Sequence, residues 1–159
     1  DFVIELPAVP ALEPEAAAVV LDLVQDAGNV GSSLRGASAF GFQQVVALKG
    51  SAALWSPKVL RAVMGAHFAL DLIEAASLED LQPLRVPMLV THVHEGDFLH
   101  RAELPWPCAW VLGPEGQGVS AALEVRATRR IRIAQPGGEE SLNVAAAAAM
   151  CLHASASAR

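Results

Sequence analysis

Blocks of apolar residues alternate with polar, turn-forming residues along this chain, and the blocks predict strands followed by helices. Residues 16–23 form an apolar run that is typical of a buried strand, and residues 25–29 are of types that favour a loop. Residues 30–40 then carry apolar side chains at helical spacing, and Gly41 follows where a glycine commonly ends a helix. The first unit is therefore predicted to be a strand, a polar loop and a helix.

The same alternation continues along the rest of the chain. Ser56 and Pro57 predict a helix start, because serine caps helices well and proline fits the first helical position. The alanine-rich residues 141–153 predict the last helix, with Ser141 as its N-cap and Asn143 in its first turn. Further strands are predicted at residues 45–48, 87–90, 108–112 and 130–133, and short helices at 77–81, capped by Ser77, and at 120–123. This order predicts an α/β fold with a mostly parallel sheet and helices on both faces.

Length and composition narrow the class of protein. The chain has 159 residues, of which 53% are hydrophobic and 18% charged, which suits one domain with a sizeable core and excludes a disordered chain. Frequent prolines predict that residues 1–15 are an arm or linker and that the domain comprises residues 16–159. No apolar run approaches the roughly 20 residues of a membrane-spanning helix, and no signal sequence opens the chain. We therefore expect a cytoplasmic location and no membrane partner.

The net charge of -6 argues at first against a nucleic-acid partner, because phosphate binding depends on lysine and arginine. The basic residues are, however, concentrated in two groups, and a local positive patch can contact RNA on an acidic domain. The groups are Arg35, Lys49, Lys58 and Arg61, and Arg126, Arg129, Arg130 and Arg132. With so few cations, we expect weak RNA binding with a modest dependence on salt.

Three glycine-bearing loops follow predicted strands, where open α/β sheets bind ligands. Residues 29–37 suit a turn entering a helix, whose free N–H groups could bind a phosphate, but this segment alone favours an ordinary capped helix with a solvated arginine. Residues 112–118 carry three glycines and suit either a cofactor or a plain turn, with a spacing that differs from the dinucleotide-binding G-x-G-x-x-G. Residues 137–144 lead into the last helix.

Two other groups of residues invite a chemical interpretation. His92 and His94 would share one face of a strand, but further ligands at a recognisable spacing are missing, so a polar loop at a strand end is favoured over a metal site. Cys108 and Cys151 have neither metal-ligand spacing nor a redox motif and are interpreted as small apolar residues. The sequence therefore predicts no bound metal.

Taken together and in order, the loops resemble the signature motifs of the SpoU/TrmH family of RNA ribose 2'-O-methyltransferases, in the SPOUT class. Residues 29–41 resemble the first motif, N-x-G-x-x-x-R-x-A-x-A-F-G, and residues 56–66 are similar to the segment that follows it. Residues 111–118 resemble the second motif and residues 133–145 the third. The resemblance extends from about residue 19 to residue 153. The chain departs from the common pattern at Gly36, Pro114 and Ala134.

This resemblance implies a C-terminal trefoil knot in the α/β sheet, a homodimer, and transfer of a methyl group from S-adenosylmethionine to a ribose 2'-hydroxyl of tRNA or rRNA. A catalytically inactive RNA-binding or dimerisation module is the alternative, and a nicotinamide-dependent oxidoreductase lacks its early glycine fingerprint. Since the chain begins at Asp1 and many relatives carry an upstream RNA-binding domain, we expect this chain to be the catalytic part of a longer protein.

The resemblance also implies the site residues. The implied catalytic residues are Asn29, Arg35, Glu115, Ser141 and Asn143. The implied cofactor-binding residues are Leu112, Gly113, Glu115, Gly116, Gly118, Ile133, Ser141, Leu142, Asn143 and Ala145. A guanidinium stays protonated in proteins, so we interpret Arg35 as a phosphate clamp that stabilises the developing alkoxide rather than as a general base.

Overall fold

A parallel sheet lies at the centre of the molecule, as the apolar runs predict. The structure, a computed structural model, describes residue 3 and residues 5–114, 117–138 and 141–159. Within these residues seven strands pair in the order β3-β2-β1-β6-β4-β7-β5, and all of the pairs are parallel. The strands are β1 (Ala18–Leu21), β2 (Gln44–Leu48), β3 (Asp71–Ala76), β4 (Met88–Thr91), β5 (Asp97–Phe98), β6 (Ala109–Leu112) and β7 (Arg129–Arg132).

Helices cover both faces of this sheet. The described α-helices are α1 (Ala27–Ala39), α2 (Pro57–Val63), α3 (Ala121–Glu124) and α4 (Val144–Ala158), with 3-10 helices at Ala66–Ala69 and Glu79–Leu81. The predicted α/β class is confirmed. The trefoil knot implied by the resemblance stays a prediction.

The two faces carry separate hydrophobic clusters, which is why the central strands are apolar at every position. Val19 and Leu21 of β1 pack into the larger cluster with residues of α1, α2 and α4, whereas Val20 packs on the opposite side with Leu123 of α3. Trp110, in the central strand β6, is fully buried, and its indole N–H donates a 2.8 Å hydrogen bond to the Ser155 hydroxyl. This bond ties the last turns of α4 to the middle of the sheet.

The apolar pattern of the sequence does not predict two of the strands, β3 and β5, because both lie at the edges of the sheet. β3 contains Asp71 and Glu74 and is only partly buried, and β5 has only two residues. Edge strands face solvent on one side and lose the continuous apolar run that reveals β1 or β6.

Three predicted helix starts are wrong by two or three residues. α1 begins at Ala27, three residues before the predicted start, because the Asp26 carboxylate caps it and accepts a 2.8 Å bond from the Asn29 N–H. α4 begins at Val144, and Asn143 rather than Ser141 is its N-cap. Ser77 does not cap the short helix near residue 79; its N–H and its hydroxyl both donate to the Asp80 carboxylate.

The end of the predicted arm is attached to the sheet. The Gln44 side chain accepts a 3.0 Å bond from the Glu13 N–H and donates to the Glu13 carbonyl at 2.8 Å. The Arg85 N–H donates to the Pro14 carbonyl at 2.8 Å. The domain boundary at residue 15 stays a prediction. Among the described helices, none is long and apolar enough to cross a membrane.

Candidate active site

A cavity of about 340 Å³ opens at the carboxyl ends of β4, β6 and β7. Its walls come from the loops after these strands and from the beginning of α4, which are the positions where parallel α/β sheets bind ligands. A larger surface depression of about 620 Å³ lies elsewhere, and its lining includes the carboxylates of Glu13, Glu15 and Asp71. The smaller cavity is the candidate site because the motif loops surround it.

The glycine loop after β6 forms one wall of the cavity. A β-carbon on Gly113 would lie 2.5 Å from the Gly118 carbonyl oxygen, so a side chain there would force the loop open. Gly118 has a φ of +70° and donates its N–H to the Pro114 carbonyl at 3.1 Å. These two positions therefore require glycine for the loop to fold back on itself.

A buried carboxylate fixes the far end of this loop. Asp22, which follows β1 and is 5% exposed, accepts a 2.8 Å hydrogen bond from the Ser120 N–H. The Asp22 N–H in turn donates to the Leu112 carbonyl at 2.8 Å. One residue at the end of β1 thus positions both the start of the glycine loop and the start of α3.

The first and third motifs meet through two asparagines. The Asn143 Oδ1 accepts bonds from the N–H groups of Ala145 and Ala146 at 2.9 and 3.1 Å, as the N-cap of α4. Because that oxygen is committed to the helix, the Asn143 Nδ2 is directed away from it and donates to the Asn29 Oδ1 at 3.1 Å. Capping therefore fixes the orientation of Asn143 and joins α1 to α4 beside the cavity.

The first glycine of the first motif has a packing role. Gly31 is buried inside α1, and a β-carbon there would collide with the Ala62 side chain of α2. Residues 29–37 lie within α1, and Asp26 already satisfies the Asn29 N–H, so this segment is the capped helix that the sequence favours and not a turn with free N–H groups for an anion. Glycine at this position allows close packing of α1 against α2.

Arg35 lies on the exposed surface of α1. Its side chain forms no ion pair or hydrogen bond with any residue that the structure describes, and it is outside the wall of the cavity. Asn29, six residues earlier, is also outside the wall. The roles predicted for these two residues stay predictions.

The second predicted basic group has a different role. Arg129 bonds Asp97 and the Glu103 carbonyl, and Arg130 bonds Glu124 at 3.0 Å. Arg132 donates to the His94 and Gly96 carbonyls and lies 4.0 Å from the centre of the Phe98 ring. Arg126 donates to the Leu78 carbonyl. These four arginines therefore hold neighbouring loops against the sheet, and the positive patch expected there stays a prediction.

The histidine-bearing loop after β4 forms another wall. The His92 Nδ1 accepts bonds from the N–H groups of His94 and Glu95 at 3.1 and 2.9 Å, and its Nε2 is 3.6 Å from the Glu124 carboxylate. In the part of the chain that the structure describes, no three His, Cys, Asp or Glu side chains are placed to hold a metal ion. His92 and His94 follow the end of β4 at Thr91, and the expected absence of a metal stays a prediction.

The structure places most of the predicted cofactor residues in one wall or another of the cavity. The lining includes Leu112, Gly113, Gly118, Ile133, Ser141 and Leu142. Asn143 and Ala145 are outside the lining, at the beginning of α4. Glu115 and Gly116 lie outside the described residues. The roles of all these residues stay predictions.

Sequence reasoning missed part of the lining. Thr91, His92 and His94 were recognised only as a polar loop, and Gln135 and Val144 were not singled out. The alternation of strands and helices carried a usable signal for the first three, because every loop after a parallel strand reaches the same edge of the sheet. Gln135 gave no signal, since the side-chain environment of a single glutamine depends on the folded loops.

Solved structures with this arrangement define its class. A TrmH-family protein from Porphyromonas gingivalis superimposes with a TM-score of 0.87 at 37% identity, over 95% of this chain and 63% of that one. An AdoMet-bound rRNA methyltransferase from Sinorhizobium meliloti superimposes with a TM-score of 0.81 at 29% identity, over 91% and 57%. The fold is thus that of the TrmH/SpoU class.

Sequence comparison assigns the family. Residues 16–153 match the SpoU rRNA Methylase family, and the chain belongs to it. The chain is 31% identical over 148 residues to the 23S rRNA (guanosine-2'-O-)-methyltransferase RlmB of Bordetella pertussis, covering 91% of this chain and 60% of that protein. It is 32% identical over 138 residues to the 23S rRNA (guanosine(2553)-2'-O)-methyltransferase RlmP of Bacillus subtilis, covering 85% and 56%. The chain therefore spans somewhat more than half the length of these relatives.

Proposed function

We propose that this chain is the catalytic domain of an S-adenosylmethionine-dependent methyltransferase that modifies a ribose 2'-hydroxyl of RNA. The observation that carries the proposal is the cavity itself, because the second and third motifs form its walls and the Asn29–Asn143 bond joins the first motif to the third. The names of the curated relatives favour ribosomal RNA as the substrate, with transfer RNA as the second possibility. An enzyme of this kind is expected in the cytoplasm.

The cavity suits S-adenosylmethionine in size and in chemistry. A volume of about 340 Å³ is within the range of small-molecule sites, and apolar side chains such as Leu112, Ile133 and Leu142 alternate with polar groups such as Ser141. The tight return of the loop at Gly113 leaves backbone groups rather than side chains facing the ligand. When bound, S-adenosylmethionine supplies a methyl group already activated by its sulfonium. The protein then has to orient the 2'-hydroxyl and assist the loss of its proton.

The two asparagines orient the acceptor in this proposal. The Asn143 side chain is held by α4 and by Asn29, so neither residue has to be ordered when the substrate binds. The Asn29 Oδ1 accepts the bond from Asn143, and the Asn29 Nδ2 makes no hydrogen bond to the described residues. That nitrogen can donate to a ribose or phosphate oxygen.

Arg35 holds the RNA backbone. It lies six residues after Asn29 on α1, or about 9 Å along the helix axis, which is a distance that a nucleotide can bridge. Its planar guanidinium suits a phosphate, and its permanent charge stabilises the alkoxide that forms as the proton leaves.

We also propose that the active form is a homodimer, as the family resemblance implies. α4 packs against α1 and presents a solvent-exposed row of small or apolar residues. The row consists of Ala146, Ala149 and Met150, and the exposed His153 lies about one turn further along. Light scattering after size-exclusion chromatography should give a molar mass of two chains for the wild type. The Ala149→Arg variant should give the mass of one chain. A wild-type monomer at assay concentration would contradict the dimer.

An inactive module remains the rival function, and it differs in its behaviour toward cofactor. The presence of Asn29, Arg35 and Asn143 favours the enzyme, because a domain that only binds RNA would not need this set. The decisive experiment incubates the protein with labelled S-adenosylmethionine and ribosomal RNA transcribed in vitro, and maps the modified nucleotide. We expect one 2'-O-methylated ribose. Binding of RNA with no incorporation, and no calorimetric heat with S-adenosylmethionine, would favour the inactive module.

A longer form of the protein sharpens this test. Relatives are longer than this chain, and its cations are few, so a form with additional sequence should bind RNA more tightly. Incorporation by the longer form alone would assign RNA recognition to the additional sequence while leaving cofactor binding with this domain.

A further inference from the structure

The loop after β4 forms a wall of the candidate cavity, and its backbone is bonded to a histidine ring of the same loop. His92 and His94 are both part of the cavity lining. The backbone N–H groups of His94 and Glu95 donate to the His92 Nδ1 at 3.1 and 2.9 Å. An imidazole nitrogen that accepts hydrogen bonds carries no proton. This arrangement therefore requires the neutral ring, with its proton on Nε2.

Both ends of this loop are fixed against β7. The His92 N–H donates to the Ile131 carbonyl at 2.8 Å. Gly96 has a φ of +105°, and a β-carbon there would collide with the Arg130 carbonyl, so the two backbones lie in direct contact. Residues 93–95, between these attachments, are exposed. The shape of this exposed turn therefore depends on the bonds that the His92 ring accepts.

Protonation of His92 would remove the acceptor. Histidine is the side chain that changes its charge between about pH 5 and 8, and its protonated ring donates from both nitrogens. The new N–H at Nδ1 would then face two backbone N–H donors, so the turn would have to open. Because the turn belongs to the cavity wall, its opening should weaken the binding of a ligand in the cavity.

The charged groups around His92 oppose one another. Glu124 of α3 lies 3.6 Å from the His92 Nε2 and favours the protonated ring. Arg130 of β7 disfavours it, because the Arg130 Nε already bonds the same Glu124 oxygen at 3.0 Å. On the loop itself, Glu95 lies 3.9 Å from Arg130, and His94 is a second titratable group. A protonated His92 would have to compete with Arg130 for Glu124, so this carboxylate compensates poorly for the bonds lost at Nδ1.

We propose that His92 is a positioning residue of the cofactor cavity, whose neutral ring holds the loop after β4 in place and whose protonation weakens cofactor binding. The inference rests on the proposed function, since the cofactor occupies the same cavity. It requires no contact between His92 and the cofactor, because the ring acts through the backbone of its own loop. The affinity is therefore highest where His92 is neutral, and it falls as the pH decreases.

The first test measures the binding of S-adenosylhomocysteine by calorimetry between about pH 8 and about pH 5.5. We expect the wild-type affinity to fall by roughly fivefold or more toward the lower pH, because hydrogen bonds to Nδ1 are lost. Asparagine has an acceptor oxygen at the position of Nδ1 and does not titrate, so His92→Asn should keep the high affinity throughout. Leucine has nearly the same shape without the acceptor, so His92→Leu should bind weakly at every pH. His100→Asn removes an exposed histidine of the same segment and should keep the wild-type pH dependence.

A second test needs no ligand. Nitrogen NMR of the free protein, labelled at histidine, reports which ring nitrogen carries the proton, and the His92→Asn variant assigns the signal. At about pH 8 the His92 signal should show the proton on Nε2 and none on Nδ1. A proton on Nδ1, or rapid averaging between the two nitrogens, would overturn the inference.

The outcomes separate this inference from the proposed function. If the wild type does not bind S-adenosylhomocysteine at any pH, both proposals are wrong. If the wild-type affinity is independent of pH, or if His92→Leu binds like the wild type, the positioning role is wrong and the cofactor assignment stands. Wild-type pH dependence in His92→Asn, or equal losses in both variants at high pH, would also overturn the positioning role. Thermal unfolding checks that each variant is folded, and the wild type and His92→Asn decide the question even where His92→Leu does not fold.

Discussion

The arginines around β7 and the cations of α1 and α2 carry the same positive charge, but only the arginines around β7 bond other described residues. Arg129 and Arg130 are bound to carboxylates and carbonyls of neighbouring loops. Arg35, Lys58 and Arg61 are exposed and make no side-chain bond to the described residues. An arginine that already bonds a neighbour has fewer N–H groups left for phosphate, so we expect the helices rather than β7 to provide the main cations for RNA.

The largest effect is expected at Arg35. Arg35→Ala should lower the rate of methyl transfer by about two orders of magnitude or more, because it removes a charge that stabilises the developing alkoxide. Calorimetric affinity for S-adenosylhomocysteine and the thermal midpoint should stay unchanged, since the side chain lies outside the cavity wall. Arg85→Ala removes a comparable exposed arginine and should keep wild-type activity. Normal turnover by Arg35→Ala would refute the role assigned to it.

Two substitutions of Asn143 should distinguish its role in the stability of α4 from its role in methyl transfer. Asn143→Ala removes the cap of α4 and should lower the free energy of unfolding by about 1 kcal/mol, together with a loss of methyl transfer. Asn143→Asp keeps the capping oxygen but loses the N–H that reaches Asn29, so it should retain stability and still lose methyl transfer. Chemical denaturation and initial rates measure the two effects. A fully active Asn143→Asp would show that the bond to Asn29 has no catalytic consequence.

RNA binding should distinguish the two groups of cations. Lys58→Ala with Arg61→Ala should reduce the slope of log affinity against log salt by roughly 1.5, because each phosphate contact contributes about 0.7 to 0.9. Fluorescence anisotropy with an rRNA fragment measures this slope. An unchanged slope would mean that α2 does not contact RNA.

Substitution of an arginine around β7 should cause a small loss of stability and should leave the salt dependence of RNA binding unchanged. Arg129→Ala removes bonds to Asp97 and to the Glu103 carbonyl, but the Arg129 and Asp97 side chains are 29% and 66% exposed and are screened by solvent. The expected decrease in the free energy of unfolding is therefore only about 0.5 to 1 kcal/mol. A smaller salt slope of RNA binding in this variant would show that Arg129 contacts RNA, which would contradict the contrast drawn between the two groups of cations.

The two cysteine thiols should react slowly in the folded protein. Burial raises the pKa of the Cys151 thiol to about 12, and burial also raises the pKa of Cys108, partly offset by a hydrogen bond with Ser155. Neither thiol is ionised in the folded protein at pH 8, so labelling by a disulfide reagent should be slow until guanidinium unfolds the chain. Above about pH 8.5 the unfolded chain loses these protons first, so stability should fall as the pH rises. Rapid labelling of the native protein would contradict this burial.

The sequence predicted the sheet and the motif loops because these depend on local patterns. Continuous apolar runs identified β1 and β6, and the order of the motifs brought Gly113 and Ser141 to one cavity. Ser141 was mistaken for the N-cap because serine and asparagine cap equally well, and only the folded contact with Asn29 selects Asn143.

Only the three-dimensional structure shows which arginines bond other parts of the chain. Arg129 meets Asp97 across 32 residues of sequence and Arg132 meets Gly96 across 36, and no local pattern reports such pairs. A count of positive charges therefore does not show which of them already bond other parts of the chain.

A crystal structure with S-adenosylhomocysteine tests the central claim most directly. The ligand should occupy the cavity at the carboxyl ends of β4, β6 and β7, between the loop containing Gly113 and the beginning of α4, with Asn29 and Asn143 still in contact. Density for the ligand in the acidic depression near Glu13, or at any site away from these loops, would contradict the proposed cofactor site.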